Sequence, residues 1–395
     1  MKKGILLKLA LILPLFSIAQ HKITTFYDAE KKIVKENYYA IRVGDSIVKD
    51  GKYTIWHPNG KLWQDGMYNH NKLVGLWRDF YDTGVLKQEL PYSNDKLNGT
   101  LTYYYPSGKI MQKQTYVGDH INGLFTNYFE NGQISESGIY QNDKPHGELK
   151  AYYEDGKTRF IKHYFEGVEH GKCTMYFENG NIKELSVYKY GLPDSIFTDY
   201  YKEYANGTVN KTCVYKNGKL NGKMTGYYPN GRIKNVCTYQ NDQIVGKEVE
   251  YYDTTAVLIK QTGGYMNNRK SGKWEAYYPN KKMYSTGYYK DNLLDSIWVV
   301  YYPNRKMKQS GNYKDGKAIG AWTFYYETGE VKNKGKYQDD AKTGIWTTFY
   351  TSGSVMTQIQ FTDGERNGVA KAYDETGKLL ETTIYKNGEK VNENE

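Results

Sequence analysis

From residue 51 onward, apolar side chains return to the same places every 24 residues. Fourteen copies begin at Gly51, Gly75, Gly99, Gly123, Gly147, Gly171, Ser195, Gly222, Gly246, Gly272, Ser296, Gly320, Gly344 and Gly368, with three extra residues after the Ser195 copy and two after the Gly246 copy. Taking each start as position 0, position 5 is always aromatic, as in Tyr104, Tyr128, Tyr152, Tyr301 and Tyr325. Position 11 is aliphatic or Met apart from Thr158, and position 17 is aromatic, as in Tyr313 and Tyr337. Turn chemistry separates these columns: Pro58-Asn59-Gly60, Pro229-Asn230-Gly231 and Gly329 follow the first aromatic pair, and Lys216-Asn217-Gly218 follows the closing tyrosine. Proline presets φ, and Asn and Gly accept a reversal of the chain. Each copy therefore predicts two short strands and two turns, rich in the aromatic and branched residues that suit a pleated surface, with no room for a helix of ordinary length.

A period of this size means repeats that bury their apolar faces only by stacking on neighbours. The predicted fold is all-β: an elongated, solenoid-like, twisted antiparallel sheet of about fourteen stacked β-hairpins. At roughly 4.8 Å per strand, equivalent residues recur about every 10 Å and the sheet runs on the order of 130 Å. The glycines, including Gly320 and Gly344, read as turn residues because they follow the period. Position 2 carries Trp274, Trp298, Trp322 and Trp346 in four late copies. These indoles are either core, as the apolar residues at this position elsewhere suggest, or a ladder on which a glycan could stack.

The start of the chain follows another pattern. Residues 1–19 combine Lys2 and Lys3, an apolar run from Leu9 to Phe16 and the small-residue end Ser17-Ile18-Ala19. That is the layout of a secretory signal peptide, too short for a span of roughly 20 apolar residues. Residues 20–50 read as a degenerate capping repeat starting at His21, with Phe26 and Tyr27 as its aromatic pair and Tyr38 as its closing position. Residues 51–395 hold the tandem repeats, which end in the polar Asn392-Glu393-Asn394-Glu395. A terminal copy of its own kind shields an open sheet edge.

Removing the three lysines of the leader lowers the formal charge from +10 to +7. The remaining lysines lie in turns among Asp and Glu and read as a solvated rim. Lysines beside aromatic columns are also a footprint for single-stranded nucleic acid, a partner that export argues against. Cys213 and Cys237 share a register one repeat apart, about 10 Å at Cα, beyond the reach of about 7 Å that a disulfide tolerates; with Cys173 they read as small buried residues. His120, His146 and His170 line one edge, but no Cys or carboxylate recurs with them, so no metal or other cofactor is expected. No phosphate loop, nucleophile elbow or converging set of unlike groups is present, and an enzyme is not expected.

The unit G-x-W-x-x-Y-Y-x-x-G-x-I followed by Y-x-N-G-K-x-x-G resembles the MORN repeat variant; Gly320-Ala321-Trp322 through Tyr325-Tyr326, Gly329-Glu330-Val331 and Tyr337 is a clean copy. The resemblance implies stacked antiparallel hairpins and roles in protein contact, scaffolding or lipid-surface association. Bacterial members often carry the label of YwqK-like antitoxins of toxin-antitoxin systems, which with an export signal implies an immunity-type protein. The expectation is thus an exported, non-enzymatic binding or scaffold surface, periplasmic, surface-associated or secreted, whose partner is another protein. Toxin neutralisation and glycan or membrane-surface binding are the alternatives.

Overall fold

The computed structural model describes residues 19–204 and 207–391, which form 34 strands and no helix. Apart from Ala19, the predicted leader lies outside the described residues, as does the polar end from Asn392. The chain divides into two compact segments, Met1–Gly180 and Asn181–Glu395. Within each, strands pair antiparallel with their neighbours in sequence, as stacked hairpins require. In the first segment, for example, His120–Tyr128 lies between Ile110–Val117 and Ile134–Gln141; in the second, Leu293–Tyr301 lies between Met283–Lys290 and Met307–Lys314.

The repeat boundary differs from the reading of the spacing. Gly138 faces Leu149 while the next residue, Ile139, faces His146, so Gly147 and Glu148 are extra residues within a strand. The start glycine is a bulge, not a turn, and in this copy the strand that contains it, Lys144–Tyr152, begins three residues earlier. All fourteen start positions take φ between +65° and +135°, including Gly320, Gly344 and the two serines, Ser195 at +110° and Ser296 at +73°. Glycine enters this region without a Cβ penalty. The bulge bends the strand and strengthens its twist, which a straight alternating pattern would not do.

The two turns are what their residues dictate. In the first, His57 N donates to Lys61 O and Gly60 N to His57 O, with Gly60 at φ +80°. Gly329 holds the same place at +103°, and Lys281 and Arg305 adopt it without being glycine. The second is a two-residue turn with both φ positive, such as Asn142 at +49° and Asp143 at +66°, the hairpin geometry that matches strand twist.

Contacts one repeat apart join the hairpins. The position 6 tyrosine hydroxyl donates to the position 5 carbonyl of the following repeat in ten places, among them Tyr81 to Tyr104 O at 2.8 Å and Tyr302 to Tyr325 O at 2.9 Å. Tyr27 extends this rung to the N-terminal copy by donating to Trp56 O at 2.8 Å. At the second turn, Asp or Asn carboxyl and amide oxygens accept from a backbone N–H of the repeat before, as Asp143 does from Ile121 and Asp340 from Ala318, both at 2.7 Å. Backbone N–H groups that a hairpin leaves open are thereby satisfied by its neighbour.

Candidate interaction surface

Alternation along the strands divides the columns between two faces. Positions 2, 15 and 17 share the face that holds the core. Tyr53, Trp77, Leu90 and Leu101 form one buried cluster in the first segment, and Ala318, Trp322 and Trp346 form one in the second. Trp77 is 2% exposed, Trp274 4%, Trp322 3% and Trp346 6%; Trp298 is half-buried. The four late tryptophans therefore lie in the packing, edge-on to the position 17 tyrosines: Trp274 to Tyr265 at 5.4 Å, Trp298 to Tyr289 at 6.3 Å, Trp322 to Tyr313 at 5.2 Å and Trp346 to Tyr337 at 5.0 Å. These are the centroid separations of favourable T-shaped pairs. The ammonium groups of Lys270 and Lys342 lie over Trp274 and Trp346 at 4.0 and 4.6 Å. Little indole face is left on which a ligand could stack.

Each tryptophan rests on a glycine across the strand. A Cβ on Gly66 would fall 2.1 Å from the Trp77 ring, one on Gly263 2.1 Å from Trp274, on Gly287 2.3 Å from Trp298, on Gly311 2.1 Å from Trp322 and on Gly335 2.2 Å from Trp346. Two smaller position 2 residues face larger partners, Gln114 against Phe125 and Lys162 against Cys173, while Leu149 still faces Gly138. Lys162 fills the space beside Cys173 and pairs with Glu169. Burial is the largest single effect and works against its charge, but the hydrogen bond that Lys162 donates to Glu169 and the charge of that carboxylate together hold the ammonium above its ordinary pKa. Sequence reasoning missed this pairing. Its signal is present as the Gly that stands eleven residues before every position 2 tryptophan.

The structural tyrosines of position 5 use both ends. Tyr128 O, Tyr301 O and Tyr325 O accept rungs from the repeat before. The Tyr104 hydroxyl donates to Glu89 at 2.8 Å, and burial followed by this carboxylate pushes its pKa up to about 12. Tyr152 belongs to the same column, ending the strand Lys144–Tyr152.

The opposite face is different in character. Positions 1 and 16 face each other across the hairpin and project away from the core, and several pairs are aliphatic. Leu124 faces Ile139 with exposures of 59% and 54%, and Val369 faces Ile384 with 42% and 55%. Leu76, Ile196, Ile297 and Ile345 hold position 1 elsewhere and are likewise exposed. Lysines occupy the same column in Lys172, Lys223, Lys247 and Lys273.

Other candidate chemistry does not converge. The three cysteines are buried and free of disulfides, and burial raises the Cys237 thiol to about 11, which keeps it protonated. The Phe165 ring stands between His146 and His170, 5.8 and 6.0 Å from them. His120 pairs with Asp143 at 2.7 Å, and that hydrogen bond holds the carboxyl below its usual range. Among the described residues no three His, Cys, Asp or Glu are grouped to hold a metal ion.

Eleven stretches match the family model for the MORN repeat variant: residues 49–70, 73–94, 97–117, 121–142, 145–165, 169–190, 220–241, 270–291, 319–339, 342–363 and 366–387. They cover more than half of the chain. The chain belongs to the MORN repeat variant family. The three MORN copies without a match begin at Ser195, Gly246 and Ser296; two of these carry the insertions and two have serine at the bulge, yet all three fold as hairpins. No curated protein matches the sequence. Among solved structures, the chain is similar to the crystal structure of TcdB2-TccC3-Cdc42, with 9% identity, a TM-score of 0.15 and coverage of 93% of this chain and 25% of that one. It is also similar to the Photorhabdus luminescens Tc holotoxin pore, with 10% identity, a TM-score of 0.17 and coverage of 93% and 23%. The chain thus spans about a quarter of the length of these structures, and at such TM-scores the likeness carries neither fold nor function.

Proposed function

We propose that this MORN variant protein is an exported, non-enzymatic scaffold whose outward sheet face binds another protein at the cell envelope. The observation that supports this reading is the division of labour between the faces. Aromatic columns are consumed in holding one hairpin to the next, while the aliphatic pairs Leu124–Ile139 and Val369–Ile384 are exposed without serving any rung of the stack. Exposed apolar residues recurring along one face, with lysines between them, suit a protein contact with an apolar centre and a polar rim. Export rests on the charged and apolar pattern of residues 1–19. The test is capture of a partner from envelope extract by the full chain and by its Leu124→Lys/Ile139→Lys and Val369→Lys/Ile384→Lys variants. A protein retained by the unaltered chain and lost with the variants, whose circular dichroism is unchanged, is the expected result. Equal retention by all forms, or no retained protein, refutes the reading.

A further inference from the structure

First turns of regular length are clipped to the turn of the following repeat in several junctions. Such a turn closes with His57 N donating to Lys61 O, four residues on, and its position 8 and position 10 side chains reach forward. Asn59 Nδ2 donates to Asp82 O and Asn131 Nδ2 to Glu154 O, both at 3.0 Å, while Lys61 Nζ donates to Thr83 O at 2.7 Å and Lys157 Nζ to Glu178 O at 3.1 Å. Side-chain N–H groups are therefore what the carbonyls of positions 7 and 8 accept in this stack.

Longer turns lose these clips. In the N-terminal copy Tyr27 N donates to Ile33 O, and in the Gly246 copy Tyr252 N donates to Leu258 O, six residues on in both, so position 10 is aliphatic. Each leaves a groove against the next repeat, about 510 Å³ beside Trp56 and about 340 Å³ beside Tyr277. The larger one offers more than apolar surface. Ile33 and Val34 line it with the half-buried Trp56 and with Pro58. Among the described residues no donor reaches Pro58 O or Asn59 O, the counterparts of Asp82 O and Thr83 O. Asn37 lines the groove as well; its Oδ1 accepts from Thr24 Oγ1 at 2.7 Å, which leaves its Nδ2 as a donor. Lys32, the one charged residue of the lining, is paired with Glu30.

We infer that the Trp56 groove binds a neutral N-acetylated sugar residue of a glycan chain. An acetamido group joins one N–H donor to one carbonyl acceptor, and the groove sets unbonded turn carbonyls beside the Asn37 amide. A pyranose ring also has an apolar C–H face that suits the Trp56 ring, and the volume falls in the range of about 300–1,000 Å³ for small-ligand sites. The sugar restores at this junction the amide-to-carbonyl bond that Asn59 and Asn131 make at theirs. The site is separate from the aliphatic pairs of the proposed protein contact and does not rest on that reading.

Calorimetric titration of the full chain with chitohexaose, a chain of N-acetylglucosamine, and with cellohexaose, which has the same β-linked backbone and no acetamido group, tests this. Chitohexaose binds, and cellohexaose binds at least about tenfold more weakly, the factor that one or two hydrogen bonds carry. Trp56→Ala weakens chitohexaose binding about tenfold or more. Ile33→Lys, whose ammonium takes Asn59 O as Lys61 takes Thr83 O, weakens it as much with Trp56 still in place. Hydrogen exchange of the chitohexaose complex shows new protection within 33–37 and 57–60. The inference is overturned if the unaltered chain does not bind chitohexaose, if cellohexaose binds as tightly, if either variant, folded by circular dichroism, binds unchanged, or if the protection lies elsewhere.

Discussion

Adding a single methyl at Gly66 probes how this sheet is held together. Gly66 has ordinary strand φ, so Ala carries no backbone penalty there and, in an open site, would stabilise the strand by about 0.5–1 kcal/mol. The site is not open. The new Cβ would lie 2.1 Å from Cδ2 of Trp77, a side chain 2% exposed and wedged edge-on against Tyr68 at 5.0 Å and Tyr92 at 6.5 Å, with its Nε1 donating to Met67 O. The indole must shift, and overpacking of this kind costs about 1–3 kcal/mol. Gly66→Ala is therefore net destabilising by about 1–2 kcal/mol. In a Trp77→Leu background, which resembles the Leu90 and Leu101 combination one repeat later, the same methyl has room and the sign reverses to a small gain. The coupling energy of the cycle is then about 2 kcal/mol, well above the error of additivity. Urea unfolding followed by far-ultraviolet circular dichroism gives the global value. Because repeats can unfold in parts, hydrogen exchange in strands Leu62–Asn69 and Lys72–Phe80 gives the local one. A change within about 0.5 kcal/mol in both backgrounds would refute the idea that the glycine is there to receive the ring.

Three further outcomes follow from the same contacts. Tyr302→Phe removes the rung to Tyr325 O and lowers stability by about 0.5–1.5 kcal/mol in denaturant titration; because Phe129 already stands in this column, Phe129→Tyr has the opposite sign. Ser296→Gly relaxes a serine held at φ +73° and raises stability by about 1 kcal/mol, whereas Gly320→Ser at +67° lowers it by a similar amount, measured by thermal unfolding. Alkaline pH weakens the fold: Tyr104 and Tyr265, ordinarily near 10, are raised to about 12 chiefly by burial, and Cys237, ordinarily near 9, to about 11. A raised folded pKa means the folded state binds the proton more tightly, so this stability is fully present below about pH 9 and is lost as pH rises toward 12. A melting temperature that stays constant between pH 9 and 11.5 would contradict it.

Much of this architecture could be read directly from the chain because its determinants are local. Turn residues, alternating columns and a 24-residue period act within one hairpin, and each of these was legible in stretches such as Pro58-Asn59-Gly60 and Asn217-Gly218. The start glycines were legible as special but not as bulges, because a positive φ serves a turn and a bulge equally well and only strand pairing distinguishes them. Which column meets which was likewise out of reach. Periodicity aligns equivalent residues, but the slips in register at Gly147 and between Asn127 and Tyr128 determine that Trp lies on Gly and that a hydroxyl finds a carbonyl 23 residues later. The tryptophan column shows the consequence most plainly: its spacing was compatible with a ligand ladder or a core, and burial beneath tyrosines and lysines places it in the packing. Local chemistry selects hairpins, whereas bulges, cross-strand volume and the direction in which each face turns are properties of hairpins in contact.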